Sequence, residues 1–252
     1  MHWQYRHIYI FIAFILIASP VIAQQEDRSG AEELLRHEWG AGGLLHIDGF
    51  GVTARNIRSI NYYNKWFYEM DIVTMKHPKE VKTINSYYPN TKSFIYGKKN
   101  SVFIVRGGLG RLKLLNREPL WESGVEVRLI YSVGASLALT KPVYVYIIQD
   151  DPSTFGISRK LEKFDSDKHG IWDIQGRGPF TRGFDELGFY PGAFGKLGFN
   201  FEIAAERKKV RALEAGTVID LYPKKIPIMD IENNKQLFLS FYVSFYFGSR
   251  YN

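Results

Sequence analysis

Along this chain, polar and apolar residues trade places every second position far more often than every third or fourth. The clearest case closes the sequence: Gln236–Phe247 reads QLFLSFYVSFYF. Leu237, Leu239, Phe241, Val243, Phe245 and Phe247 share one phase, and Phe238, Ser240, Tyr242, Ser244 and Tyr246 the other. Successive side chains of a strand point to opposite faces, so this segment has one apolar wall and one small or hydroxyl-bearing wall. Val125–Leu139 alternates over 15 residues without a slip, with Val125, Val127, Leu129, Tyr131 and Val133 set against Glu126, Arg128 and Ser132. Shorter runs of the same kind are Glu38–Asp48, Lys65–Met75, Ser101–Leu114, Gly198–Arg207 and Val210–Tyr222, with Phe50–Ile60 as a weaker one.

These runs predict eight strands. Of the links between them, Gly49–Gly51, Lys76–Asn100, Thr140–Leu197 and Pro223–Lys235 fall at one end, and Asn61–Asn64, Leu115–Gly124 and Lys208–Lys209 at the other. Apart from the first, long links alternate with short ones, as in membrane barrels with short periplasmic turns and longer outer loops. The expectation is an all-β fold: an eight-stranded antiparallel transmembrane β-barrel over residues 38–252, with a long third outer loop, 140–197, rich in aromatics and glycine. Trp39, Trp66 and Trp121 then fall near the periplasmic strand ends, where an aromatic belt belongs. A soluble sandwich or a lipocalin-like barrel has the same alternation with the apolar face turned inward. The polarity of the opposite face favours the membrane form. The glycines at 107, 108 and 110 read as a bend or bulge.

The beginning of the sequence reads as a secretory leader. Arg6 supplies the charge, Ile8–Ile17 an apolar core, and Val21 and Ala23 the small-residue pattern for a cut after Ala23. Ten apolar residues are too few to span a bilayer as a helix, which takes about 20. Residues 24–37 are polar, with a short helical patch at Ala31–Arg36, and read as a periplasmic lead-in. Together these place the N-terminus in the periplasm of an outer-membrane protein.

Composition adds little. The net charge is +7 and cysteine is absent, so disulfides, thiolate metal sites and a lipid anchor on cysteine are excluded. Nucleic acid does not fit a secreted chain. The basic balance better suits the phosphorylated headgroups of outer-membrane lipid and lipopolysaccharide. Aromatic residues make up 15% of the chain, which fits the girdles of a barrel.

The leader context Val21-Ile22-Ala23-Gln24-Gln25, the aromatic strand Phe238–Gly248, and the punctuation Tyr96-Gly97-Lys98-Lys99-Asn100 and Thr140-Lys141-Pro142 resemble the small outer-membrane β-barrel proteins of the Bacteroidota. That resemblance implies an eight-strand barrel inserted by the outer-membrane insertion machinery. It also implies an accessory part in envelope complexes for secretion, lipopolysaccharide delivery or barrel assembly. Many such barrels end on an aromatic residue, whereas this chain ends Gly248-Ser249-Arg250-Tyr251-Asn252.

The polar phase would place Glu38, His46, Asp48, Glu69, Asp71, Arg106, Glu126 and Arg128 in the lumen, with Glu202, Glu206, Glu214 and Asp220. Eight strands leave room only for side chains, so the expectation is a plug of ion pairs, without catalytic residues, cofactor or metal. A narrow channel is one alternative. A rim enzyme acting on lipid or peptide is another, with His46 and Asp48 on one face as a general-base pair. Asp165-Ser166-Asp167 resembles half of a calcium loop but lacks its glycine and distal glutamate. The 140–197 loop carries Trp172, Phe180, Phe184, Phe189, Tyr190 and Phe194. Disordered segments are poor in aromatics. The loop is therefore expected to fold, either capping its own barrel or docking a protein partner.

Overall fold

The computed structural model describes residues 36–88, 91–116, 125–151, 156–203, 208–230 and 234–252. The leader, most of the lead-in, Trp121 and Glu206 lie outside them. The described residues form thirteen strands: β1 His37–His46, β2 Gly49–Ser59, β3 Asn64–Met75, β4 Lys82–Thr83, β5 Phe94–Ile95, β6 Asn100–Asn116, β7 Val125–Pro142, β8 Tyr144–Asp151, β9 Gly156–Lys163, β10 Ile174–Arg177, β11 Gly188–Ile203, β12 Lys209–Leu221 and β13 Leu237–Tyr251.

Eight of these close into one antiparallel barrel in the order β1-β13-β12-β11-β7-β6-β3-β2. Closure pairs the first strand with the last, from His37↔Tyr251 to His46↔Tyr242. It leaves no exposed edge, the one way a sheet can satisfy all its backbone groups in lipid. All eight expected strands are present. The long connections, 76–99, 143–187 and 222–236, gather at one end, here the loop end. The two-residue link 47–48 lies there as well, and the start of β1, the link 60–63 and the end of β13 lie at the other, the terminal end.

The alternation resolves as a membrane barrel rather than a soluble one. On β13, Leu239, Phe241, Val243 and Phe245 point outward and are 40–54% exposed, while Ser240 and Ser244 are fully buried inside. The outward face continues through Trp39, Leu45, Tyr68, Met70, Val133, Leu197, Phe199 and Ile219, all exposed. Trp66 lies at the terminal end under the Arg111 guanidinium, 4.0 Å from the ring centroid.

The sixth barrel strand corrects the sequence reading. β11 starts at Gly188, not Gly198, so the third connection at the loop end is 143–187 rather than 140–197. Gly188, Pro191, Gly192 and Gly195 hide the alternation. Proline is tolerated there because the β12 ladder stops at Ala193↔Leu221, leaving Pro191 paired with β7 alone.

The glycines of β6 are corrected too. Gly107, Gly108 and Gly110 run in unbroken register against β7, and the β6–β7 irregularity lies between Leu114 and Asn116. Gly108 and Gly110, with Gly134 of β7, form seats for aromatic rings instead. A Cβ at Gly108 would lie 2.7 Å from Phe194 Cζ, and one at Gly134 would lie 2.8 Å from Phe194 Cε1. The Phe194 ring therefore lies flush on the inner wall, 4% exposed.

At the loop end, 143–187 forms a three-stranded sheet in the order β10-β8-β9. Tyr144–Ile148 belongs to β8, which pairs with β9 and β10 rather than with a barrel strand. The sheet has its own small core of Phe94, Val145, Ile147, Phe164 and Ile174. Asn85 fastens the 76–99 connection to it by donating to the Trp172 and Ile174 carbonyls at 3.1 and 3.0 Å.

Candidate functional site

The interior is stacked in layers, each supplied by inward positions of several strands. Nearest the loop end is an apolar layer of Leu44, Val73, Met75, Val102, Ile104, Phe194, Val218 and Phe238. Ile226, Ile228 and Met229 of the 222–236 connection complete it from above, at 0–4% exposure. Asn234 holds that connection folded: its Oδ1 accepts from Ile228 N and Met229 N at 2.9 and 3.1 Å. The Asn100 amide adds a bond to the Pro227 carbonyl at 2.7 Å. The last long connection thus closes the barrel mouth. The sequence reading considered only the third connection as a cap.

Below this layer lies a buried ionic network. Arg106 donates to Asp220 through Nε and Nη2 at 2.9 and 2.7 Å, both side chains fully buried. Arg55 donates to both oxygens of Glu214, one at 2.8 Å, and to Glu69 at 3.3 Å. Lys196 bridges Glu69 and Asp71 at 2.9 and 2.7 Å. Tyr242 donates to Glu214 at 2.7 Å, and Ser132 donates to Glu69. Buried charges persist when each carboxylate is both paired and hydrogen-bonded, as here.

A second apolar layer follows, with Ile57, Phe67, Leu112, Ile130, Val210 and Tyr246. At the terminal end, Lys65 and Arg250 bridge Glu38 and Glu202. Beside them Arg128 meets Glu126 at 2.8 Å, and Tyr62 donates to Glu126 at 2.6 Å.

Glu38, Glu69, Asp71, Arg106, Glu126 and Arg128 therefore all sit in these polar layers. His46 and Asp48 lie near the loop end but do not meet. His46 Nε2 bonds the Thr74 carbonyl at 2.9 Å, and Asp48 accepts from Ser240 at 3.2 Å. No His46–Asp48 hydrogen bond forms, so the general-base pair of the enzyme reading is not assembled. The sequence reading left four cations out of the lumen: Arg55, Lys65, Lys196 and Arg250. The acid excess on the inner phase was the signal, since a filled lumen must be close to neutral.

The aromatic residues assigned to the third connection divide into two groups. Trp172, Phe180 and Phe184 lie in 143–187 and are 74, 64 and 47% exposed. Phe189, Tyr190 and Phe194 belong to β11: Phe189 faces outward, while Tyr190 packs on the upper apolar layer and Phe194 is part of it. A docking role for Phe194 is thus excluded by its position inside the barrel.

Asp165–Asp167 takes part in a latch between connections. Asp230 accepts from Lys99 Nζ at 2.7 Å, Ser166 N at 3.1 Å and Ser166 Oγ at 2.6 Å. These bonds hold its carboxyl down to a pKa of about 2. Among the described residues no group of acids and histidines is arranged to hold a metal ion.

No protein-family model matches the chain, and no curated protein matches it. Among solved structures it is similar to Neisserial surface protein A (NspA), at 11% sequence identity, with 85% of this chain and 96% of that chain covered and a TM-score of 0.41. The fold rests on the closed strand order rather than on that likeness.

Proposed function

We propose that this is a non-enzymatic barrel of the bacterial outer membrane. In this reading it is an accessory or structural subunit of a larger envelope complex. The observation that carries the proposal is an apolar outer wall around a packed, ion-paired interior. On β7 the outward face is apolar from Val127 to Leu139. Twelve steps at roughly 3.3 Å, tilted by about 40°, give a band of about 30 Å, the thickness of a bilayer's hydrocarbon core. The reading places the loop end outside the cell, both termini in the periplasm, and residues 1–23 as a cleaved leader. The style of the leader and last strand supports an origin among the Bacteroidota.

A filled bore turns attention from transport to the surface. The partner-binding element in this reading is the 143–187 sheet, with Trp172, Phe180 and Phe184 as its exposed aromatics. Such residues dominate interface cores. Trp172 is the residue to change, since it lies on the surface and its loss leaves the wall intact. The test is purification of the wild type and Trp172→Ala from detergent-solubilised outer membranes, with quantitative mass spectrometry. The proposal expects a stoichiometric envelope partner with the wild type and its loss with the variant. Equal recovery would remove Trp172 from the interface, and a lone barrel would remove the subunit reading.

A further inference from the structure

The loop end carries a cavity of about 250 Å³ on the outer flank of the barrel, between β5, the β7–β8 junction and the segment after β10. Its lining contains Lys82, Lys92, Lys98, Lys141 and Arg177, and no acidic residue. Only Lys98 is neutralised, by Glu80 at 2.6 Å. Lys82, Lys92 and Arg177 have no carboxylate partner among the described residues. Glu186, bonded to the lining residue Tyr144, is already paired with Lys163 at 2.9 Å.

Lys141 is the unusual member. It is 4% exposed and sits at an outward position of β7, next after Leu139 on that face. Its ammonium donates to the Phe180 and Arg182 carbonyls at 2.8 and 3.0 Å and lies 4.6 Å from the centre of the Phe180 ring. An ammonium has three donors. The third has no acceptor among the described residues. Burying a cation without a counter-ion is unfavourable, and an anion in the cavity would relieve it.

We infer that this cavity is a binding site for a phosphate group, and that its source is the phosphorylated headgroup of an outer-leaflet lipid. The chemistry is a cluster of unpaired cations beside a buried donor. The volume equals about eight waters at roughly 30 Å³ each, enough for a phosphate and part of its sugar. The position selects the lipid: the outward face of β7 is apolar up to Leu139 and becomes cationic at Lys141, the level at which headgroups begin. That last step rests on the proposed membrane orientation; the phosphate chemistry does not.

The experiment uses the mature protein in neutral detergent micelles, titrated with diphosphoryl lipid A, with the same lipid stripped of phosphate, and with inorganic phosphate. Lys92→Gln/Arg177→Gln removes two exposed cations, and resistance of the unheated barrel to unfolding on a detergent gel checks the fold separately. The expected result is saturable binding of the diphosphoryl lipid, weaker binding of the stripped lipid, and a loss of about tenfold in the variant, equivalent to about 1.4 kcal/mol. Inorganic phosphate binding as tightly as the lipid would keep the phosphate site and overturn the lipid source. Equal binding of both lipids, or a folded variant that binds like the wild type, would overturn the site while leaving the barrel reading in place.

Discussion

Replacing Asp220 by alanine isolates one buried ion pair and tests whether the interior is as dry and packed as described. Asp220 and Arg106 are both 0% exposed. Their two hydrogen bonds, at 2.9 and 2.7 Å, are Arg106's contacts to a carboxylate. Two charge-assisted bonds at about 1.5–3 kcal/mol each give about 3–6 kcal/mol. Breaking one side of a buried pair independently costs about 3–5 kcal/mol, because the remaining charge is left in the interior. The two estimates agree, so Asp220→Ala should lose about 3–5 kcal/mol. The double variant Arg106→Met/Asp220→Leu removes both charges and fills similar volume, so it should lose much less, with a coupling of about 3 kcal/mol between the sites. Urea unfolding in phospholipid vesicles, followed by tryptophan fluorescence, measures the wild type, Asp220→Ala, the single variants Arg106→Met and Asp220→Leu, and the double variant. A loss below about 1 kcal/mol for Asp220→Ala, or a double variant equal to the sum of the singles, would mean that Arg106 is solvated and the interior is not packed.

Gly134→Ala puts a Cβ 2.2 Å from the Gly107 carbonyl and 2.8 Å from Phe194, so it should destabilise by about 1–3 kcal/mol in the same assay. The Asp230 latch should depend on pH: its carboxyl is held at about 2 against an ordinary 3.8, so the stabilisation is complete above the unfolded value and vanishes as pH falls through about 2. The Ser166 amide resonance should titrate with that midpoint and stay flat in Asp230→Asn; a midpoint near 4 would show that Asp230 is free. In planar bilayers the wild type should give no stepwise current, because the interior layers leave no bore, and regular conductance steps would contradict that packing.

The architecture was legible because alternation survives on the outer wall, where almost every position is apolar. β13 and β7 show this most clearly. The lumen was harder to read, and the reasons are specific. Lys196 lies in a stretch where Gly192, Gly195 and Pro191 interrupt the pattern, so its strand was taken for loop. Arg250 lies past Phe247, where the alternating apolar run of β13 ends and Ser249 takes the outward position. Arg55 sits on β2, whose outward face carries Asn56 and Arg58. Strand ends emerge from lipid and lose the apolar signal, yet their inward residues still complete the ion pairs. The plug of Ile226, Ile228 and Met229 was hidden for another reason. Three apolar residues in a connection have no period, and only the tertiary fold shows that they enter the barrel.

The central claim is that apolar side chains face lipid and small polar ones face a filled interior. With no native cysteine, the chain accepts single cysteines directly. Nitroxide labels at 239, 241, 243 and 245, and at 240 and 244, in reconstituted protein measure collision with oxygen, which dissolves in lipid, and with a water-soluble nickel chelate. The account predicts high oxygen and low chelate access at the four odd positions, and low access to both at 240 and 244. Chelate access at 241 and 243 would place that wall in water, and chelate access at 240 and 244 would open the lumen; either result would contradict the account.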